Sequence, residues 1–193
     1  MSVAAPLVVA SASPQRRAIL TRLGIAFEVR PTGVSELAEG EPAAVAVENA
    51  LRKARAARAQ APEAEEVVLG CDTLVALGGA IHGKPADADA ARATLLALRG
   101  ATHEVVSGLA LLEPGGRERT AVARTMVTFR AFDGALLDWY VALGEWRGRA
   151  GGYAIQGAGA ALVLGVEGDY ENVVGLPLAA LLDLYSGLIL ACK

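Results

Sequence analysis

A lone acid breaks an apolar run. In Val67-Val68-Leu69-Gly70-Cys71-Asp72-Thr73-Leu74-Val75 almost every residue is apolar, so the segment reads as a central strand carrying a carboxylate. An ionised group in such surroundings is costly, and Asp72 must be paired, hydrogen-bonded, metal-bound or catalytic. A structural salt bridge or a cap at the strand end would satisfy it equally. A second segment, Ser11-Ala12-Ser13-Pro14-Gln15-Arg16-Arg17, brings two hydroxyls and two arginines to the start of a helix. Free N–H groups and the positive dipole end favour phosphate there, and Arg16 and Arg17 can add bidentate contacts. Taken alone, the segment reads first as an ordinary capped helix with solvated arginines.

Gly78-Gly79-Ala80-Ile81-His82-Gly83-Lys84-Pro85 fits the GxxxxGK part of a P-loop but fails at the next position. A P-loop needs Ser or Thr after the lysine and an immediate helix, whereas Pro85 offers neither a hydroxyl nor an N–H. The glycines instead turn a hairpin, leaving Lys84 as a point charge at its base, either solvated or facing the Asp72 strand. Glu36 lies in a polar stretch, where a carboxylate is ordinarily solvated; it gains meaning only beside Asp72. The stretch Ala150 to Gly159 is glycine-dense, which lets backbone approach a flat ligand closely. Gln156 within it could read a base edge, or the stretch could be a plain connection between strands. His82 and His103 share no ligand spacing with a carboxylate motif and read as structural, as does the polar turn Asp169-Tyr170-Glu171-Asn172.

The elements that must position these groups follow from periodicity and punctuation. Leu7 to Ala10 is a buried strand, Ser13 an N-cap, Pro14 the first helical residue, and Gly24 the left-handed stop after Ile19, Leu20 and Leu23. Phe27 to Val29 reads as strand. An alanine-rich, basic helix bearing Lys53 and Arg55 runs from Pro42 to about Gln60. A helix spans Asp87 to Leu98, strands His103 to Leu112 and Thr120 to Phe129 flank a Pro-Gly-Gly turn, and a helix follows at Asp133 to Leu143. A strand at Ala160 to Val166 and a closing helix after Pro177 complete the chain. The sum is an α/β protein with a mixed sheet and flanking helices.

At 193 residues the chain reads as a single domain over 1–193, with 53% hydrophobic residues to build its core. Its apolar stretches are broken before they could span a bilayer, and the start lacks a cationic region ahead of its short apolar run; membrane and secretory readings fail, leaving a cytoplasmic protein. Cys71 and Cys192 have neither CxxC spacing nor a histidine cluster, which removes zinc and disulfide readings. A net charge of -3 gives no global field for nucleic acid, so anionic substrates must be met locally. An RNA-binding module is further disfavoured by the lack of aromatic stacking motifs.

Together these stretches resemble the Maf family of nucleoside triphosphate pyrophosphatases. Val9 to Leu20 is similar to the family's LASxSPRRxxLL start, Asp72-Thr73 to its central DT, Gly83-Lys84-Pro85 to GKP, and Arg99 to Gly108 to sGxTHxVxSG. Arg149 to Gly151, Tyr153 to Gly157 and Val173 to Leu178 follow in the family's order, so the resemblance covers essentially the whole chain. It implies a mixed, mostly antiparallel twisted sheet, two lobes around a cleft as in inosine triphosphatase-like enzymes, and a homodimer. It implies cleavage of a nucleoside triphosphate to monophosphate and diphosphate, limiting misincorporation of non-standard nucleotides, with Asp72 as the catalytic proton acceptor.

By the same resemblance, Arg16, Glu36, Lys53 and Lys84 fall at positions around the phosphates and metal, Lys84 being expected to assist catalysis and Arg16 and Lys53 to bind phosphate, while Ser11 and Ser13 are expected to hold phosphate oxygens at the helix N-terminus. Glu36 and Asp72 hold Mg²⁺ or Mn²⁺, hard ions suited to carboxylate oxygens. Gln15, Thr73 and Gln156 fall at positions tied to base selection. The DT pair and YxIQG are similar to the branch acting on dTTP and UTP. Gln15 departs from that branch's arginine and also from the tryptophan of the methylated-guanine branch. The rival reading is a non-catalytic nucleotide-binding regulator of septum formation, against which the presence of both Asp72 and Lys84 argues.

Overall fold

The computed structural model describes residues 5–188; Cys192 lies outside them. Seven strands, β1 (Leu7–Val9), β2 (Phe27–Val29), β3 (Val67–Leu77), β4 (Ala80–His82), β5 (Thr102–Leu112), β6 (Glu118–Phe129) and β7 (Val163–Glu167), form one sheet. Six helices accompany them: α1 (Pro14–Arg22), α2 (Pro42–Arg58), α3 (Ala88–Leu98), α4 (Gly134–Leu143), α5 (Tyr170–Val174) and α6 (Leu178–Leu184). The order across the sheet is β2-β1-β3-β5-β6-β7, with β4 on β3. Only β1 pairs in parallel, with β2 and β3; the other pairings are antiparallel. The expected mixed, mostly antiparallel α/β architecture is what the chain adopts. Among the described residues no helix is long and apolar enough to cross a membrane.

Three details of the sequence reading change. The polar turn at 169–172 opens a short helix, α5, whose N-cap Asp169 accepts from the Glu171 and Asn172 N–H groups. The strand expected at Ala160 to Val166 begins only at Val163, because Ala158–Leu162 winds into a 3-10 turn after the glycines. The central strand also runs two residues beyond Val75, where β4 pairs with it.

One sheet face is covered by α2, which lies against it through Ala50, Ala54 and Ala57 over Val8, Val68 and Ala110. The approach is close enough that a Cβ on Gly70 would overlap the Ala50 carbonyl oxygen, and one on Gly108 the backbone of Ala46. Small residues on both partners therefore set the helix-to-sheet distance. The opposite face carries two separate apolar clusters. One gathers α1 and α6 around Leu69, Cys71 and Leu109; the other gathers α3 and α4 around Val75, Val105 and Phe129. Between them, on β3 and β5, stand Thr73 and Ser107, whose hydroxyls are 2.8 Å apart. This polar seam lies between the two clusters on the same sheet.

The edge of β3 has a matching gap. Its inner edge pairs with β5 from Val68 to Ala76. On its other edge β1 reaches only Leu69, and β4 begins only at Val75. Residues 70–74, Asp72 among them, consequently have a strand neighbour on one side only. The notch is where the chain can admit something else.

Candidate active site

A cleft of about 450 Å³ occupies this notch, bounded by the end of β1, the loop after β2, the base of the β3–β4 hairpin and the glycine-rich segment before β7. Ser11, Ser13, Gln15, Arg16, Glu36, Lys53, Asp72, Thr73, Lys84 and Gln156, all singled out in the sequence, line it together. Arg17 is exposed and does not.

Asp72 points toward α2 because strand residues alternate faces, and α2 supplies its partners at a four-residue spacing, one helical turn. Asn49 Nδ2 donates to Asp72 Oδ2 at 2.9 Å, and Lys53 Nζ donates to Oδ1 at 2.5 Å. Lys53 Nζ lies also 2.5 Å from Glu36 Oε1, and Lys84 Nζ 3.1 Å from Glu36 Oε2. One lysine thus ties the two carboxylates, and the second lysine meets Glu36 rather than Asp72. Burial works to raise the Glu36 carboxyl, but the Lys53 hydrogen bond and charge, with Lys84 adding to them, hold it down at about 2.

Asn49 has a second task. Its side chain accepts from Leu37 N–H at 2.7 Å and donates to Leu37 O at 3.0 Å, pinning the loop that carries Glu36. The signal for it was an amide interrupting the alanine face of α2, four residues before Lys53, which the sequence reading passed over.

Arg16 is buried, and each of its three guanidinium nitrogens donates to the protein: Nε to Gly175 O at 2.8 Å, Nη1 to Ser11 Oγ at 2.8 Å and Nη2 to Thr73 Oγ1 at 3.2 Å. It therefore fixes the start of α1 against β3 and the end of α5. The same Gly175 carbonyl accepts from the Thr73 hydroxyl at 3.4 Å. Ser13 caps α1 by accepting from Arg16 N–H, and its hydroxyl donates to Gln15 Oε1 at 3.2 Å. Gln156 is exposed at the cleft rim. Cys71 is sealed beneath the floor, where burial pushes its thiol up, so it is unreactive.

The glycine-rich wall brings Arg147, which the sequence reading did not mention, and Arg149 and Tyr153, to which it gave a place in the family motifs but no role in the site. Tyr153 is buried, with its hydroxyl 2.9 Å from His103 Nε2 and its ring edge-on to Phe129. His103 is structural, as expected. In all, five cationic side chains face two carboxylates around the cleft, an excess suited to a polyanion.

Residues 6–188 match the family model for Maf-like proteins. The chain belongs to the Maf family. Among Maf relatives it is 47% identical over 182 residues to a dTTP/UTP pyrophosphatase of Deinococcus radiodurans, covering 94% of this chain and 92% of the relative. It is 50% identical over 183 residues to a dTTP/UTP pyrophosphatase of Anaeromyxobacter sp., covering 92% and 87%. Among solved structures, a nucleoside-triphosphatase / dITP/XTP pyrophosphatase from Mycobacterium abscessus overlaps 66% of this Maf chain and 75% of its own, with a TM-score of 0.46 and 20% identity.

Proposed function

We propose that this chain hydrolyses nucleoside triphosphates between the α and β phosphorus atoms, releasing a nucleoside monophosphate and diphosphate, with dTTP and UTP as its first candidate substrates. The observation that carries the reading is Asp72, a carboxylate held by Asn49 and Lys53 at the floor of a cationic notch, beside the N-terminus of α1. The names of the Deinococcus and Anaeromyxobacter relatives point the same way.

The chemistry assigned to the residues is proton transfer and charge balance. A water oxygen attacks the α phosphorus as its proton passes to Asp72, and the bond from α phosphorus to the bridging oxygen breaks, the electron pair leaving on diphosphate. Asn49 and Lys53 hold the carboxylate in place through this step, which is a matter of position more than of covalent chemistry. The Ser11 to Ser13 loop and the free N–H groups of α1 receive phosphate oxygens. Lys84 balances charge on the departing diphosphate. Arg16 holds that loop in place through three hydrogen bonds and turns its remaining Nη hydrogens and its charge to the phosphates.

Glu36 and Asp72, whose carboxylates Lys53 bridges, are the residues that would hold a hard ion such as Mg²⁺ or Mn²⁺. When bound, such an ion neutralises phosphate charge and polarises the reacting centre. The test is diphosphate release from a panel of canonical and modified triphosphates, with Mg²⁺, with Mn²⁺ and with chelator. Preferential cleavage of dTTP and UTP is expected, abolished by chelation. Tight binding without diphosphate release would instead support the regulator.

A further inference from the structure

The cations of the cleft are not equivalent. Arg16 donates to three protein acceptors, Lys53 sits between two carboxylates and Lys84 faces Glu36. Arg149 lines the same cleft with no carboxylate partner among the described residues, and its Nε is buried with no hydrogen-bond acceptor. A buried guanidinium N–H left unpaired is unfavourable, and in a cleft lined by cations an anionic ligand can complete it.

The position of Arg149 is determined by backbone. Gly151 N–H donates to Gly83 O at 3.1 Å, and Gly152 N–H donates to Arg149 O at 3.1 Å, so the turn carrying Arg149 is fastened beside the hairpin residue that precedes Lys84. Gly151 also packs against Val75 and Gly152 against Pro85, closely enough that a Cβ would crowd either contact. Arg147, on the same segment, is exposed and stacks on Trp146, with its guanidinium carbon 4.6 Å from the ring centroid. Across the cleft Thr32 Oγ1 is likewise buried without a partner, a second polar group awaiting an acceptor or donor.

We propose that Arg149 is a further substrate-binding residue that, alongside Lys84, grips the diphosphate portion of the triphosphate. The planar fork of a guanidinium matches phosphate oxygens, and its charge is not already balanced by a protein acid. This rests on the pyrophosphatase reading for its substrate, but not for its test.

The experiment compares the wild type with Arg149→Met and Arg149→Lys. Diphosphate and UMP are titrated separately by calorimetry, and UTP hydrolysis is followed by steady-state kinetics. Arg149→Met should weaken diphosphate binding about tenfold or more, a factor equivalent to about 1.4 kcal/mol, and raise KM for UTP, while UMP binding is unchanged. Arg149→Lys, which keeps charge without the fork, should fall between the two, and it decides the matter should the methionine variant not fold. Equal weakening toward diphosphate and UMP, or no change toward either, overturns the proposal. If the wild type binds diphosphate yet cleaves no triphosphate, the pyrophosphatase reading fails while the Arg149 comparison still stands on diphosphate binding alone.

Discussion

The two walls of the cleft are built to different degrees of completion. On the α2 side the reacting carboxylates and their amide already have partners inside the protein: Asp72 has Asn49 and Lys53, Glu36 has Lys53 and Lys84, and Asn49 also holds Leu37. On the glycine-rich side Arg147 and Arg149 have no acid partner among the described residues, and a buried N–H of Arg149 is unpaired. The first wall is assembled before a substrate arrives. The second needs an anion to be finished. Orientation of a reacting group demands prior order, whereas binding of a polyphosphate is strengthened by cations whose charge has not already been offset.

Four changes would break or sharpen this contrast. The largest effect is expected from Asp72→Asn, which keeps the shape and most of the hydrogen bonding but removes the base; turnover should fall about 10²-fold or more. Near-normal kcat with full metal dependence would rule out the proton-acceptor role. Next comes Asn49→Ala, which releases the Leu37 loop and one Asp72 oxygen together. It should cost about 1–3 kcal/mol of stability by urea unfolding and lower kcat more than it raises KM. A KM change alone would mean that Asn49 does not order the acid.

Lys84 bridges the two walls from a half-exposed position, so Lys84→Ala should leave stability within about 0.5 kcal/mol and raise KM for the triphosphate. Unchanged kinetics would place Lys84 outside the working site. The smallest effect lies behind the glycine-rich wall. Burial, with a lesser push from His82, holds the His103 imidazole down at about 4 from its ordinary 6.5. The folded state therefore favours the neutral ring: its contribution is complete above pH about 6.5 and is lost as pH falls through about 4. His103→Gln should flatten the stability profile over that interval, and an unaltered profile would assign the acid sensitivity elsewhere.

Much of this was readable from composition and order. The buried character of Val67 to Val75, the cap at Ser13 and Pro14, and the glycine stop at Gly24 are local signals, and the structure places element ends at or near them. The grouping of Asp72, Lys53 and Glu36 was suggested by resemblance alone, since no spacing along the chain relates them. Asn49 interrupts the alanine face of α2 visibly enough, but its task was not legible for a physical reason: the amide acquires a role only when the opposite strand supplies an acid at the same height. The same holds for Ser107, whose hydroxyl matters only because β5 sets it opposite Thr73.

Residue types and local periodicity determined by themselves where most of the strands and helices lie, that an acid would stand inside a central strand, and that the Ser13 hydroxyl would cap the first helix. Only the tertiary structure decided that β1 and β4 leave a gap beside Asp72, that Arg16 holds three segments together, and that Arg149 is left with an unpaired N–H. The reason is that periodicity is a property of neighbours in sequence, whereas pairing and its absence depend on which distant backbones close packing brings within a hydrogen bond of each other.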